Sequence, residues 1–347
     1  MKIILDAMGG DNAPEEIVKG AVLAADTLGV SILLVGDEAR IRPLLMQNPP
    51  KNPSAIEIEH AGGVITMEDN PVSAVRQKKD SSLVVSLRLL GEGKGDAFVC
   101  AGSTGAVLTG ATLFVKRIKG VRRAALAPVL PTAKGGSLLV DCGANVECTA
   151  EYLTQFAFMG YYYAKKQMGI ENPTVGLINN GAEETKGTDA LRETYQILKK
   201  ASDEGRINFI GNVEGRDIPT GAADVLVCDG FTGNIVLKTI EGVGLFFVSK
   251  VKDIFKKNAL TKLSAIAVKP GLQEFKKLLD YNEVGGAPLL GISKPIIKAH
   301  GSSHAVAIMN AVRQAVVYAE GGVIADIAES VGRLAAEEEV KAADKKQ

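Results

Sequence analysis

Residues 96–112, Asp96-Ala-Phe-Val-Cys-Ala-Gly-Ser-Thr-Gly-Ala-Val-Leu-Thr-Gly-Ala-Thr112, place an apolar run, a polar turn and an amphipathic stretch one after another. The apolar run at 97–100 predicts a buried strand, and the apolar spacing from Ala106 predicts a helix. The turn at 102–105 leaves backbone N–H groups without helical partners beside two hydroxyls. It is therefore either an anion site, typically for phosphate, or an ordinary turn in which Ser or Thr caps the helix.

Four further stretches have the same form, an apolar run that ends in Gly with Asp, Asn, Ser or Thr. They are residues 3–11, 138–145, 175–181 and 225–234. The strand–helix alternation continues almost to the end of the chain and predicts one compact α/β/α unit over residues 1–347. Because parallel strands end along one edge of a sheet, where open α/β sheets bind ligands, the five stretches predict a single polar, glycine-lined cleft.

The composition restricts the class of protein. A chain of 347 residues with 46% hydrophobic and 23% charged residues is typical of a globular, cytoplasmic protein. Zero formal net charge and the absence of tryptophan argue against nucleic-acid binding. The four cysteines form no CxxC pair and are predicted to be reduced, with Cys100 and Cys228 left as candidates for reactive thiols. We expect neither a signal peptide nor a segment that could span a bilayer.

Residues 245–280 combine an apolar stripe with a lysine-rich face. This pattern predicts an amphipathic helical hairpin that projects from the domain and lies on an anionic membrane surface. The expected membrane-contact residues are Leu260, Leu263 and Ile266. The alternative is an amphipathic helix that covers the core or a dimer partner.

Two basic features have both a functional and an ordinary interpretation. Lys186 lies in a long polar loop after a predicted strand, where it could hold a phosphate as a point charge or simply be solvated. The basic cluster, residues 116–123 (KRIKGVRR), could bind an acidic protein or an anionic surface, or be an exposed helix end.

His300 and His304 have a spacing that suggests a metal site. Gly301 and a helix cap expected at Ser302 or Ser303 place His300 outside the following helix, so the two rings do not share a helix face. We therefore predict no metal and interpret His300 as a contact for a phosphate or an acyl group.

The absence of several known catalytic motifs limits the reaction types that the sequence can support. The sequence has no GxSxG elbow, no Walker loop and no GxGxxG motif, and no covalent nucleophile stands out. Anion-binding turns together with a lysine, a histidine and an asparagine suit direct attack by a bound phosphate, with the protein stabilising the oxyanion. The residues alone thus indicate an enzyme that handles phosphate or a phosphoester, without a cofactor.

Seven motifs taken together resemble those of the PlsX family of bacterial phosphate acyltransferases. They are DAMGGD at 6–11, AGSTGA at 101–106, DCGAN at 141–145, GNVEGRD at 211–217, DGFTGN at 229–234, GGAPLLG at 285–291 and KAHGSS at 298–303. The resemblance therefore extends over nearly the whole chain.

This resemblance implies the reaction acyl-[acyl-carrier-protein] + phosphate → acyl phosphate + carrier protein, a step that feeds phospholipid synthesis. It also implies a Rossmann-like, mostly parallel three-layer fold, like that of phosphotransacetylases and isocitrate dehydrogenases. The resemblance further implies a homodimer that associates peripherally with the membrane. Its product, the acyl phosphate, would go to a membrane-bound glycerol-3-phosphate acyltransferase. Two other interpretations stay open: a short-chain phosphotransacetylase that uses coenzyme A thioesters, and a non-catalytic membrane-surface scaffold.

Together, the motifs and the resemblance yield a mechanistic hypothesis. The expected phosphate- and substrate-binding residues are Gly102, Ser103, Thr104, Gly105, Asn145 and Asp229. Lys186 adds positive charge, and Asn234 or His300 donates a hydrogen bond to the oxyanion that forms on the thioester carbonyl. The thiolate is a good leaving group, so no strong general acid is required.

Overall fold

The computed structural model describes residues 1–258 and 285–344, together with positions 261, 264, 265, 268 and 271. Within these residues the strands form two sheets rather than one. The expectation of a cleft along the edge of a single sheet is therefore wrong. The five glycine-ended stretches are divided between the sheets, with 3–11 and 96–112 in the first and the other three in the second.

The first sheet has seven strands. In spatial order they are β3 (Ile56–His60), β2 (Ser31–Gly36), β1 (Lys2–Asp6), β4 (Ala97–Cys100), β12 (Ile296–Lys298), β11 (Ala287–Leu290) and β5 (Ala125–Leu126). The strands from β3 to β12 are parallel, whereas β11 and β5 join with antiparallel pairing.

The second sheet has five strands. In spatial order they are β6 (Val129–Thr132), β7 (Gly135–Val140), β10 (Val225–Val227), β8 (Thr174–Asn179) and β9 (Asn208–Glu214). Only β6 is antiparallel, because a tight turn joins it to β7. A mostly parallel sheet is thus present twice.

Residues 125–132 join the two sheets. β5 pairs with β11 in the first sheet, and β6, which follows directly, pairs with β7 in the second. The backbone N–H of Ala127 donates to Pro288 of the first sheet at 3.0 Å, while Pro128 accepts from Leu139 of the second at 2.9 Å. The passage from one sheet to the other is therefore fixed by backbone hydrogen bonds.

Helices cover both sheets. They are α1 (Glu15–Leu28), α2 (Glu38–Gln47), α3 (Pro71–Gln77), α4 (Ser82–Gly91), α5 (Thr104–Gly110), α6 (Ala150–Gln167), α7 (Asp189–Asp203), α8 (Gly230–Lys256), α9 (Ala305–Glu320) and α10 (Val323–Asp344). Short 3₁₀ turns occupy Pro53–Ala55 and Gly215–Thr220, and a π-helical turn, Ala111–Val115, continues α5.

The largest hydrophobic core is shared between the two sheets. It contains Ile3 of β1 and Val140 of β7 together with Phe156 of α6 and Ile308 of α9, all less than 1% exposed. Two smaller cores fill the opposite faces, one under α4 and α5 on the first sheet and one under the start of α8 on the second. Each sheet lies between helices, so the predicted three-layer α/β/α class is confirmed.

Helix α8 packs on the second sheet only at its beginning. Val236, Leu237 and Ile240 contact the core there, but beyond them large apolar side chains are exposed. These are Val243, Leu245, Phe246, Phe247 and Ile254. The predicted projecting amphipathic segment thus begins as the far half of α8. Its second arm, with Leu260, Leu263 and Ile266, lies outside the described residues.

By length and composition α8, with 27 residues, could cross a membrane. This corrects the expectation that no segment has this property. The first part of the stretch predicted as a hairpin, from residue 245, is continuous with the helix that begins at Gly230. Length and composition are weak evidence for a span here, because the first turns of α8 are packed on protein.

Candidate active site

Three loops of the first sheet meet at the carboxyl ends of β1, β4 and β12. The pairing is parallel on both sides of β4, so Asp6, Cys100 and Lys298 end their strands at the same edge. Backbone hydrogen bonds continue the contact beyond the strands. Ala299 donates to Cys100 at 2.9 Å, and Asp11 donates to Gly301 at 2.8 Å. The site is built from this junction.

Two glycines allow the loop after β1 to lie against the loop after β4. A β-carbon on Gly9 would stand 2.9 Å from the backbone nitrogen of Gly102. Gly10 has φ +109°, and a β-carbon there would stand 2.9 Å from that of Ala101. Any side chain would separate the loops, which explains the Gly-Gly pair in the first motif.

A buried hydrogen-bond network holds the turn before α5. The Cys100 thiol donates to Asp6 Oδ2 at 3.1 Å, and the Gly102 N–H donates to the Cys100 sulfur at 3.1 Å. Burial raises the pKa of the Asp6 carboxyl, and burial together with the Asp6 charge raises the pKa of the Cys100 thiol well above its usual range. Burial likewise raises the pKa of Cys228 well above normal. Neither thiol is thus poised as a thiolate nucleophile.

The amino end of α5 presents unused donors. Ser103 is the N-cap residue, but its hydroxyl makes no capping hydrogen bond. The backbone N–H groups of Thr104, Gly105 and Ala106 have no acceptor within the helix, as is general for a first helical turn. The Gly102 N–H, expected to bind phosphate, is instead used by Cys100. A β-carbon on Gly105 would stand 2.7 Å from Pro71, so this glycine is also required for helix packing.

The second sheet contributes the loop after β7, which Asp141 organises. Its buried carboxylate accepts from the N–H groups of Leu126 at 2.8 Å, Cys142 at 2.7 Å and Asn145 at 2.6 Å. The Asn145 amide donates to Ala124 at 2.8 Å and to Asp141 at 3.0 Å. The Asn145 donors are thus committed to the loop, and its Oδ1 is the part of the amide left for a substrate.

Asp229 and Asn234 lie at the start of α8. Asp229 is the N-cap, with its carboxylate accepting from the N–H and hydroxyl of Thr232 at 2.7 and 3.0 Å. Asn234 is exposed one turn further along and lies beside Gly143 of the Asp141 loop. A β-carbon on Gly233 would stand 1.9 Å from the Asp141 carbonyl oxygen, so this glycine brings α8 against that loop.

His300 lies on the loop after β12, within the electrostatic reach of Lys238 and Glu241 on α8. Its Nδ1 is 3.3 Å from the Ser302 N–H, which can only donate, and 2.9 Å from the Ser302 hydroxyl. Nδ1 is therefore the acceptor, and the neutral ring carries its proton on Nε2. Partial burial and the Lys238 charge lower the pKa of His300, which favours this neutral ring with an Nε2–H donor.

Helix α9 begins one residue later than a serine cap would allow. His304 is its N-cap residue, and neither Ser302 nor Ser303 caps it. Glu16 of α1 accepts from the Ala305 N–H at 2.9 Å instead. The expected serine cap is wrong because a carboxylate from another helix takes its place.

Lys186 is placed apart from the first-sheet loops. It follows β8 in the second sheet, its side chain is 47% exposed, and its ammonium lies 3.8 Å from Glu183. The Asn179 amide donates to its backbone oxygen at 3.1 Å, which orders the loop. Among the described residues, no contact joins Lys186 to residues 102–105 or to His300.

Lys298 is the charged residue of the site that the sequence interpretation left without a role. It is 8% exposed, at the junction of the three loops. Its signal in the sequence was a lysine that directly follows the apolar pair Ile296-Ile297. Such a residue belongs to a strand whose neighbours are buried, unlike a loop lysine such as Lys186.

The basic cluster adjoins the Asp141 loop. Its residue Arg123 precedes Ala124, which accepts from Asn145. Arg123 itself lies over the Tyr152 ring at 5.5 Å, and Arg122 pairs with Glu151 at 2.6 Å. The cluster is therefore an exposed cationic surface at the border of the site.

Solved structures with the same fold include phosphotransacetylases. The chain superimposes on the one from Streptococcus pyogenes with a TM-score of 0.60 and 17% identity, over 92% of this chain and 94% of the other. For the EutD phosphotransacetylase from Staphylococcus aureus the TM-score is 0.58 at 18% identity, with the same coverage of 92% and 94%. The 4-hydroxythreonine-4-phosphate dehydrogenase from Klebsiella pneumoniae gives 0.52 at 13% identity, over 92% and 99%. These likenesses establish the fold alone.

Sequence relatives are much closer. A phosphate acyltransferase from Alkaliphilus oremlandii (strain OhILAs) is 51% identical over 97% of this chain and 99% of its own length. One from Clostridioides difficile (strain 630) is 44% identical over 96% and 97%. The model of the family described as fatty acid synthesis protein matches residues 1–326. The chain therefore belongs to this family, the PlsX family of bacterial phosphate acyltransferases that its motifs resemble.

Proposed function

We propose that this acyltransferase moves a fatty acyl group from acyl-[acyl-carrier-protein] to inorganic phosphate and so supplies acyl phosphate for phospholipid synthesis. The observation that carries the proposal is the anion site at the amino end of α5. There the Ser103 hydroxyl makes no capping hydrogen bond, and the N–H groups of Thr104, Gly105 and Ala106 have no acceptor among the residues that the structure describes. Helix N-termini of this kind bind phosphate groups.

The chemistry follows from holding the phosphate next to a thioester. A phosphate oxygen donates an electron pair to the thioester carbonyl carbon, and the new C–O bond gives a tetrahedral oxyanion. The C–S bond then breaks, the carbonyl re-forms, and the carrier-protein thiolate leaves and takes up a proton. Asn234 and the Nε2–H of His300 are the oxyanion donors, and Lys186 adds positive charge at the rim. The reaction needs no covalent step at the buried cysteines.

The basic cluster is the proposed docking surface for the acidic carrier protein. It is exposed and adjoins the Asp141 loop, so a carrier bound there would present its thioester to the site. Complementary charge of this kind steers association and fixes orientation more than it adds affinity.

The far half of α8 is the proposed contact for a second copy of the chain and for an anionic membrane. Val243, Phe247 and Ile254 are four and seven residues apart and continue the face that packs on the core at Ile240. Leu245 and Phe246 are exposed on other sides of the same helix. An apolar patch of this extent marks an interaction surface. A chain bound there would deliver its product beside the membrane glycerol-3-phosphate acyltransferase, from the cytoplasmic side.

The proposed reaction predicts carrier release that depends on inorganic phosphate. Purified protein is incubated with long-chain acyl-carrier protein, or with the matching coenzyme A thioester, with and without phosphate. Free thiol should appear with the carrier-protein substrate only when phosphate is present. A preference for the coenzyme A thioester would move the chain to the phosphotransacetylases. If neither thioester is turned over, a non-catalytic binding scaffold becomes the better interpretation of the chain.

The oxyanion assignment predicts a specific pattern among variants. His300→Ala should lower kcat about 100-fold, because it removes the donor that acts on the developing charge. His300→Gln should retain more activity, since its amide N–H can replace Nε2–H. His60→Ala, which changes a histidine at the end of β3, is the control and should be unaffected. If Lys186→Ala and Asn234→Ala both keep wild-type turnover, their assignment to the transfer fails.

The proposed role of α8 predicts that charge on its exposed end releases the protein from membranes. The double variant Phe246→Glu/Phe247→Glu should lose co-sedimentation with anionic vesicles and keep turnover of soluble substrate. Wild-type protein should sediment with the mass of two chains. Undiminished vesicle binding by the variant, or a wild-type monomer, would contradict the corresponding contact.

A further inference from the structure

Lys298 is a buried cation without a counter-ion. It ends β12, is 8% exposed, and no carboxylate pairs with it among the residues that the structure describes. Burial lowers its pKa, and the Lys238 charge acts in the same direction, whereas Cys100, Asp11 and Asp6 only partly oppose this. Burying a charge without a partner raises the free energy of the folded protein, because the protein replaces only part of the lost hydration. Such a residue is expected where a ligand completes the site.

The hydrogen bonds that the structure gives Lys298 use two of the three N–H donors of its ammonium. Its ammonium donates to the carbonyl of Ala101 at 3.3 Å and to that of Ala299 at 2.5 Å. An ammonium has three N–H bonds, and the third has no acceptor within the described part of the chain. The two carbonyls belong to the loops after β4 and β12, so they hold the ammonium between these loops.

This position is next to the amino end of α5. Ala101, which accepts from Lys298, is followed by Gly102 and then by Ser103, the N-cap residue. The carbonyl that accepts from the ammonium thus lies two residues before Ser103 in the chain, at the entry to the first turn of α5. Positive charge, a hydroxyl and helix donors are the three elements of a phosphate site.

We propose that Lys298 is the cation that holds the inorganic phosphate against the amino end of α5, an inference that rests on the proposed function. Lys186 then stays at the rim, on the second sheet. The bound dianion supplies the direct counter-charge that the described residues do not give Lys298. Phosphate binding and the neutralisation of a buried charge are therefore the same event.

The test measures phosphate binding directly, without any thioester. The thermal unfolding midpoint is recorded with and without inorganic phosphate for wild type, Lys298→Met and the control Lys294→Met, which changes a lysine just before the same strand. Wild type and the control should be stabilised by phosphate. Lys298→Met should lose that stabilisation and, in the thioester assay, raise the KM for phosphate about 10- to 100-fold, the loss of one charged hydrogen bond. A purely structural lysine would lower the midpoint equally in both buffers.

The pH dependence gives a second measurement that needs no variant. From about pH 8 to pH 10 phosphate stays a dianion, so its stabilising effect follows the charge of the protein site. A buried lysine with a lowered pKa, such as Lys298, loses its proton at a lower pH than an exposed lysine does. The phosphate effect on wild type should therefore fall with rising pH.

The outcomes separate this inference from the proposed function. Phosphate stabilisation that survives in Lys298→Met would overturn the assignment even if acyl transfer is observed. Stabilisation that depends on Lys298 in a protein with no acyl transfer would keep the phosphate site and reject the reaction. If Lys298→Met does not fold, Lys298→Gln, which removes the charge but keeps a polar side chain at the same place, replaces it in the same two measurements.

Discussion

The parallel pairing of β4 with β1 on one side and β12 on the other is the constraint on which the site depends. It brings three strand ends to one edge, and therefore the Gly9–Gly10 turn, the start of α5 and the His300 loop into contact. A sheet in which any of these neighbours were antiparallel would send that loop to the opposite edge. The proposed phosphate donors, the buried lysine and the histidine meet because the three strands run the same way.

The electrostatics of the site follow from what these strand ends bury. The Asp6 carboxyl and the Cys100 thiol have raised pKa values and use their hydrogen bonds to fix the turn, so they add order rather than reactivity. The open groups at the amino end of α5, the Ser103 hydroxyl and the N–H groups of its first turn, can donate, which suits a phosphate dianion. The second sheet adds the Asp141 loop and the start of α8, and His300 is in electrostatic reach of α8, because partial burial and then the Lys238 charge lower its pKa.

The sequence predicted the α/β/α class and the strand–turn–helix at 96–112 because hydrophobic periodicity and turn residues are local properties of a chain. It did not predict two sheets, because nothing local to 125–132 shows that its two halves pair with strands far apart in the chain. The same limit explains the site. The N-cap position of Ser103 could be predicted from its own turn. The hydrogen bond from α9 to Glu16, the hydrogen bonds of Asn145 within its loop and the burial of Lys298 depend on contacts between distant segments.

A crystal structure of the protein grown with inorganic phosphate would test the central claim most directly. The account predicts one phosphate at the amino end of α5, with its oxygens about 3 Å from the Ser103 hydroxyl, from the open N–H groups of that turn and from the Lys298 ammonium. A phosphate bound on the second sheet beside Lys186, with the first turn of α5 empty at saturating concentration, would contradict it.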